Sequence, residues 1–443
     1  MRTLVLVALA AWALSVAGQQ GRPQDIQPPS PVSPSAERIY EDARRSLVQV
    51  RTLLKGQDSQ SSVGSGFFVT PDGLILTNYH VVSEAALQPE RYRLVYGTTD
   101  GATGPLQLLA FDAIHDLALV RPATPPPATL RALAFRPRTT ALEQGERIYS
   151  LGNPLDVGFA VIEGTYNGLV DRSFYPTIFF AGTLNPGVSG GPALDSQGHV
   201  IGVNVASRVD GEQVSFLVPA AFAEDLLQRA GDEAPIVRAA YPELARQLTV
   251  HQATLTERFL KQPWRTAGDP RYMIPVPQEE FMRCWGRSTP SDTKGLEYEQ
   301  SQCAMDTRIY VSRSLTTGSL SVRHEVFDGR KLGLLRFANR YSRSFANEWF
   351  GGDGGKDRTA PHCQEQYVDA HGVPLRAVLC MSAYKRLKDL YTVSVLVGSV
   401  DLPLGGVEAR FDASGVSFDN ALALSAHFLD GFGWTRQTSS PAE

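Results

Sequence analysis

Cysteine is missing from residues 1–283; the four in the chain are Cys284, Cys303, Cys363 and Cys380. Neither a disulfide nor a thiolate metal site can therefore organise the first half. A basic excess is missing too. Lys and Arg total 42 against 46 Asp and Glu, a net charge of -4, which argues against a dedicated nucleic-acid binder. After the first residues no apolar run approaches the roughly 20 residues that span a bilayer, so no stable transmembrane segment is expected. Internal repeats are absent, which excludes a solenoid.

Glycine (39) and proline (29) are plentiful, and they favour turn-rich β architecture over long helices. A chain of 443 residues allows two or three domains. At the start, Arg2 precedes an apolar stretch from Leu4 to Val16, and Ser15-Val16-Ala17 or Val16-Ala17-Gly18 offers small residues for cleavage. Residues 1–18 therefore read as a secretory leader rather than an anchor. Export, to a periplasmic or extracellular location, makes disulfides permissible. Sequence-local pairs, Cys284–Cys303 and Cys363–Cys380, are preferred among the three pairings. A zinc site with His362 is the rival, but the spacings are wider than those of structural zinc motifs.

Residues 19–36 are rich in Pro, Gln and Ser and read as a flexible tether. A short helix is expected from Glu37 to Ala43, and a first strand from Leu47. Residues 37–231 then form one β-rich unit. Pro71-Asp72-Gly73 is a hairpin signal between Gly66–Val69 and Leu74–Thr77. Further strands are expected at 93–96, 108–111 and 117–120. After the proline-heavy connector 122–127 come candidates at 147–151, 159–162, 177–180, 200–205 and 214–218. Two groups of short strands joined by a connector suit a double β-barrel. Ala220 to Ala230 reads as a closing helix. An amphipathic helix, Leu244 to Leu260, lies within a linker, 232–262. From 263 to 437 an α+β domain is expected, with strands at 319–326 and 391–397, a helix at 420–432, and a mobile loop at Gly351–Gly355.

Three segments carry chemistry: Asn78-Tyr79-His80-Val81-Val82, His115-Asp116-Leu117 and Gly187-Val188-Ser189-Gly190-Gly191-Pro192. The order His80, Asp116, Ser189 is that of the trypsin-like triad and differs from the orders in subtilisin and the α/β-hydrolases. A serine hydroxyl is a weak nucleophile and needs an imidazole to take its proton. Asp116 would hold that imidazole in the correct tautomer. The N–H groups of Gly187 and Ser189 would form the oxyanion hole. Singly, each residue is better read as a packed histidine, a strand-edge charge or a turn. Their joint order and strand context favour the triad. His115 is expected to be exposed, because neighbours along a strand face opposite ways. No metal or organic cofactor is needed.

With Leu151-Gly152-Asn153-Pro154, Asn185-Pro186-Gly187 and Val200-Ile201-Gly202-Val203-Asn204 added, residues 45–230 resemble the HtrA (Deg)-type branch of trypsin-like serine proteases. The resemblance implies two six-stranded barrels of chymotrypsin type, with the site in the cleft between them. It implies an exported serine endopeptidase acting on proteins or peptides, in quality control or processing. By the same likeness Leu184 falls near the base of the substrate pocket, with Val203 and Val205 on one wall, which implies aliphatic specificity. Val188 departs from the family, whose members carry Asn or Asp before the serine. Valine can form no buried ion pair, so packing or a partner must order the oxyanion loop. The alternative reading follows: a sensor or binding protein on a protease scaffold, latent until a partner orders that loop. After Arg229 no convincing PDZ module follows, and Leu404-Gly405-Gly406-Val407 only faintly echoes its carboxylate-binding loop. Trp264, Trp285, Trp349 and Trp434 in the C-terminal half make an envelope component an expected partner.

Overall fold

The structure, a computed structural model, describes residues 33–125, 130–207, 214–230, 233–266, 271–290, 294–346, 348, 350 and 355–435. The expected leader, nearly all of the tether, Trp349 and residues 351–354 lie outside them. Ser33 caps the first helix, α1 (Pro34–Ala43), its hydroxyl accepting from the Ala36 N–H at 3.1 Å. Proline at the first helical position is pre-set for that start, so the helix begins at Pro34 and not at Glu37.

Six strands follow: β1 (Leu47–Leu54), β2 (Gln60–Phe68), β3 (Ile75–Thr77), β4 (Tyr92–Thr98), β5 (Thr103–Asp112) and β6 (Leu117–Pro122). They close in the order β1-β2-β3-β6-β5-β4. The Pro71-Asp72-Gly73 turn forms as expected. Gly73 takes φ +98°, where a side chain would be strained. The second barrel comprises β7 (Arg147–Gly152), β8 (Ala160–Leu169), β9 (Ile178–Ala181), β10 (Pro192–Leu194), β11 (Val200–Ser207) and β12 (Val214–Pro219), in the order β10-β11-β12-β9-β8-β7. Closure leaves neither barrel an unpaired edge. Strand β10 is three residues long, too short for an alternation to show.

A helix between the strands of the first barrel was not expected. Helix α2 (Tyr79–Leu87) carries His80 in its first turn. Its β-branched pair Val81-Val82 reads locally as strand, but burying Val81, Val82, Ala85 and Ala86 against the first barrel overrides that preference. Helix α3 (Ala220–Ala230) closes the second barrel with Ala223 and Leu226 inward.

Helix α4 (Tyr241–Lys261) is more than a linker. Leu244, Ala245 and Leu248 join the apolar cluster outside the first barrel, while Leu255 and Phe259 enter the core of the C-terminal domain. That domain is a seven-stranded antiparallel sheet, ordered 282–288, 297–305, 320–328, 405–416, 391–399, 373–383 and 362–370. Helix α6 (Phe418–Asp430) and α4 cover one face, where Phe411 meets Phe428 and Phe259. Helix α5 (Leu334–Ala346) lies on the other, where the Tyr341 hydroxyl donates to Ser399 and Val407 carbonyls at 3.0 and 2.8 Å. Gly405–Val407 belong to strand 405–416, not to a loop. Cys284 is disulfide-bonded to Cys303 and Cys363 to Cys380, each opposite its partner on adjacent strands. No cysteine is left to bind zinc.

Candidate active site

The tight turn between β5 and β6 places Asp116 at φ +56°, a left-handed conformation that side chains adopt at a cost. Several bonds hold it there. Its carbonyl accepts from the Asn78 amide at 2.7 Å and from the Tyr79 N–H at 3.2 Å. Its Oδ1 accepts from the His80 N–H at 2.8 Å, and its Oδ2 lies 2.6 Å from His80 Nδ1. Helix α2 thus presents the imidazole by its first turn, clamped through both backbone and ring. With Nδ1–H given to the carboxylate, Nε2 is left as the proton acceptor. Burial pulls the His80 pKa down, but the charge of Asp116 and its hydrogen bond outweigh that, and the value is raised.

Ser189 comes from the second barrel. The turn before it, Asn185 to Val188, is closed by Val188 N–H to Asn185 C=O at 3.3 Å. Pro186 sets its second position and Gly187, at φ +100°, its third, a type II turn. Among the described residues no carbonyl accepts from the N–H groups of Gly187 or Ser189. Val188, 1 % exposed, packs with Leu184, Ile148, Ala193 and Leu217. Apolar packing therefore stands where an ion pair would otherwise order the loop.

A residue that sequence reasoning missed completes this support. The Ser65 hydroxyl on β2 donates to Gly187 C=O at 2.7 Å and accepts from Asn153 N–H at 2.9 Å. Its N–H donates to Ser189 C=O at 2.7 Å, and its carbonyl accepts from the Thr77 hydroxyl at 2.7 Å. One strand residue of the first barrel so ties the serine loop of the second. The available signal was Gly64-Ser65-Gly66. A Cβ at Gly64 would lie 2.9 Å from Ser189 O, so only glycine admits the approach.

Three placements differ from expectation. The Ser189 hydroxyl donates to the Val205 carbonyl, not to His80. A bulge in the β11–β12 pairing between Asn204 and Ala206 leaves Val205 out of the ladder, which frees that carbonyl. The pocket expected from Leu184, Val203 and Val205 is not formed by all three. Leu184 and Val203 are 2 % and 0 % exposed and fill barrel cores. Of these, only Val205 reaches the surface. His115 is not exposed either. Its Nδ1 lies 2.8 Å from Asp112, and its ring stacks 3.7 Å from that of Phe222.

Residues 64–203 match the model of the trypsin-like peptidase domain family. Over this segment the chain is similar to trypsin-like peptidases. Mitochondrial serine protease HTRA2 of Drosophila ananassae is 31 % identical over 218 residues, covering 46 % of this chain and 48 % of that protein. The chloroplastic Protease Do-like 1 of Arabidopsis thaliana is 29 % identical, with 38 % and 40 % covered. A DegP-like periplasmic serine endoprotease of Chlamydia pneumoniae is 30 % identical, with 42 % and 37 % covered. The chain thus spans under half the length of these curated relatives. Among solved structures, the serine endoprotease from Yersinia pestis covers 45 % of this chain and 67 % of its own, at 22 % identity and a TM-score of 0.39. The match to the family model ends at Val203, before the C-terminal domain begins.

Proposed function

We propose that this protein is an exported serine endopeptidase. Ser189 attacks the peptide carbonyl, and His80 takes its proton and returns it to the leaving amine. Asp116 keeps the ring in the required tautomer and steadies the imidazolium. The Gly187 and Ser189 N–H groups receive the oxyanion. The observation that carries this reading is the His80–Asp116 clamp together with a type II turn before Ser189, where among the described residues no carbonyl accepts from the Gly187 or Ser189 N–H. The periplasmic relative and two disulfides support export. A fluorophosphonate probe should label the mature full chain and leave Ser189→Ala unlabelled. Equal labelling of the two would end this reading.

The contact from Ser189 to Val205 favours a second state of the same enzyme, a resting one. One neutral hydrogen bond has a net worth of about 1 kcal/mol, so a rotation about χ1 releases the hydroxyl cheaply. Latency then lies in the serine rotamer and not in a disordered oxyanion loop. Casein cleavage by the purified protein with no added partner is the expected result. Cleavage seen only after a partner is added would favour the sensor reading. Delivery by the C-terminal domain to an envelope component has one support, Trp285, which is 73 % exposed on the edge strand 282–288. Undiminished retention of Trp285→Ala on envelope fractions would remove it.

A further inference from the structure

The C-terminal domain sends a hairpin onto the helix that carries His80. Strands 309–312 and 315–317 leave the large sheet between strands 297–305 and 320–328 and pack across α2. Ile309 and Val311 are buried in the cluster formed by Tyr79, Val82 and Ala86. The Tyr79 hydroxyl donates to Val311 C=O at 3.2 Å. Arg313 Nε lies 3.3 Å from Glu84, whose other oxygen accepts from Ser61 on β2. At its base the hairpin is held by α4, where His251 Nε2 meets Gly318 C=O at 3.2 Å. It is a fixed strut between two domains.

Its second residue, Tyr310, reaches the imidazole. The two rings are 6.0 Å apart at 68°, edge to face, and the Tyr310 ring also meets Tyr79 at 6.4 Å. The Ser83 hydroxyl, one turn beyond His80 on α2, faces the phenol. Asp116 holds Nδ1 on one side of the imidazole, while the His80 side chain keeps 29 % of its surface exposed. An aromatic ring at this distance limits the ring's freedom to swing toward solvent. It also offers a π-surface within reach of the imidazolium.

We propose that Tyr310 is a positioning residue for His80, so that the C-terminal domain is a working part of the hydrolase site. The proposal rests on the endopeptidase reading. Tyr310 touches no reacting atom; it acts through the imidazole. Its ring and not its hydroxyl matters, so Tyr310→Phe should match wild type. Tyr310→Leu in the full chain should lower kcat and the fluorophosphonate labelling rate about ten- to a hundredfold, the usual cost of slight misplacement, at little changed KM. It should also broaden or shift the far-downfield proton resonance of His80 Nδ1–H, which a merely structural contact would leave in place. Should Tyr310→Leu fail to fold, Arg313→Glu provides the same test. Repulsion from Glu84 lifts the hairpin and slows labelling, and the double variant with Glu84→Arg restores it. Wild-type labelling and an unmoved resonance in folded Tyr310→Leu would overturn the proposal, as would unchanged labelling in Arg313→Glu. Failure of the underlying reading is told apart by Ser189→Ala: only there would that variant label like wild type.

Discussion

Removing the Ser65 hydroxyl should damage stability and reactivity together. Ser65 is 1 % exposed, and its Oγ serves two buried backbone groups, Gly187 C=O and Asn153 N–H. In Ser65→Ala both lose that partner. An orphaned buried polar group costs about 1–3 kcal/mol, so the pair predicts a loss of about 2–6 kcal/mol. The midpoint of urea unfolding reads this directly. The second effect is on the serine loop. The Gly187 carbonyl anchors the peptide next to the one whose N–H is to receive the oxyanion. Without that anchor the turn is free to flip, and loss of one oxyanion donor typically costs about 10²–10³ in rate. Fluorophosphonate labelling should therefore slow by more than about tenfold in protein that is still folded. A wild-type unfolding midpoint with a wild-type labelling rate would refute the reasoning. A lowered midpoint with unchanged labelling would refute its second half, detaching Ser65 from the order of the loop.

His80 has a raised pKa and must be neutral to act as base, so the acid limb of kcat/KM should fall above the ordinary histidine value of about 6.5. Asp116→Asn should move that limb down and lower kcat by about 10⁴; an unmoved limb would exclude His80 as the titrating base. The same shift adds stability that is full below pH about 6.5 and is lost as pH rises through the folded value. His251 behaves oppositely. Burial lowers its pKa to about 4, so the unfolded chain binds the proton first and stability falls as pH drops from about 6.5 toward 4. The loss on this account is about 3 kcal/mol, and His251→Gln should flatten the slope of urea midpoint against pH. Cys284–Cys303 and Cys363–Cys380 close loops of 19 and 17 residues, so reduction of each should cost about 3 kcal/mol on the chain-entropy view. Calorimetry with and without reductant checks this, and an unchanged Tm would contradict it.

The legible parts of this molecule are those set by local rules. Alternation and turn chemistry marked most barrel strands, as at Pro71-Asp72-Gly73. Apolar residues at helical spacing marked α3 and α4. The C-terminal strands 319–326 and 391–397 were legible for the same reason, but the sheet order was not, because pairing joins strands far apart in the chain. Short or locally contrary elements escaped notice. Strand β10 has too few residues to show a period, and α2 forms because burial of Val81 and Val82 outweighs their β preference.

Order and residue type alone singled out His80, Asp116 and Ser189 as candidates, since the demands of peptide hydrolysis restrict which side chains can serve. Val188 likewise announced a loop ordered by packing or by a partner, because valine can form no ion pair, and the folded chain shows the packing. What only the folded chain decided were contacts between distant segments: Ser65 reaching Gly187, the Val205 carbonyl holding the Ser189 hydroxyl, and Tyr310 meeting His80. Leu184 and Val203 show the reverse case, where matching positions misled because burial depends on neighbours. Local propensities act over a few residues, whereas a site is assembled by three-dimensional closure, and no reading along the chain measures that distance.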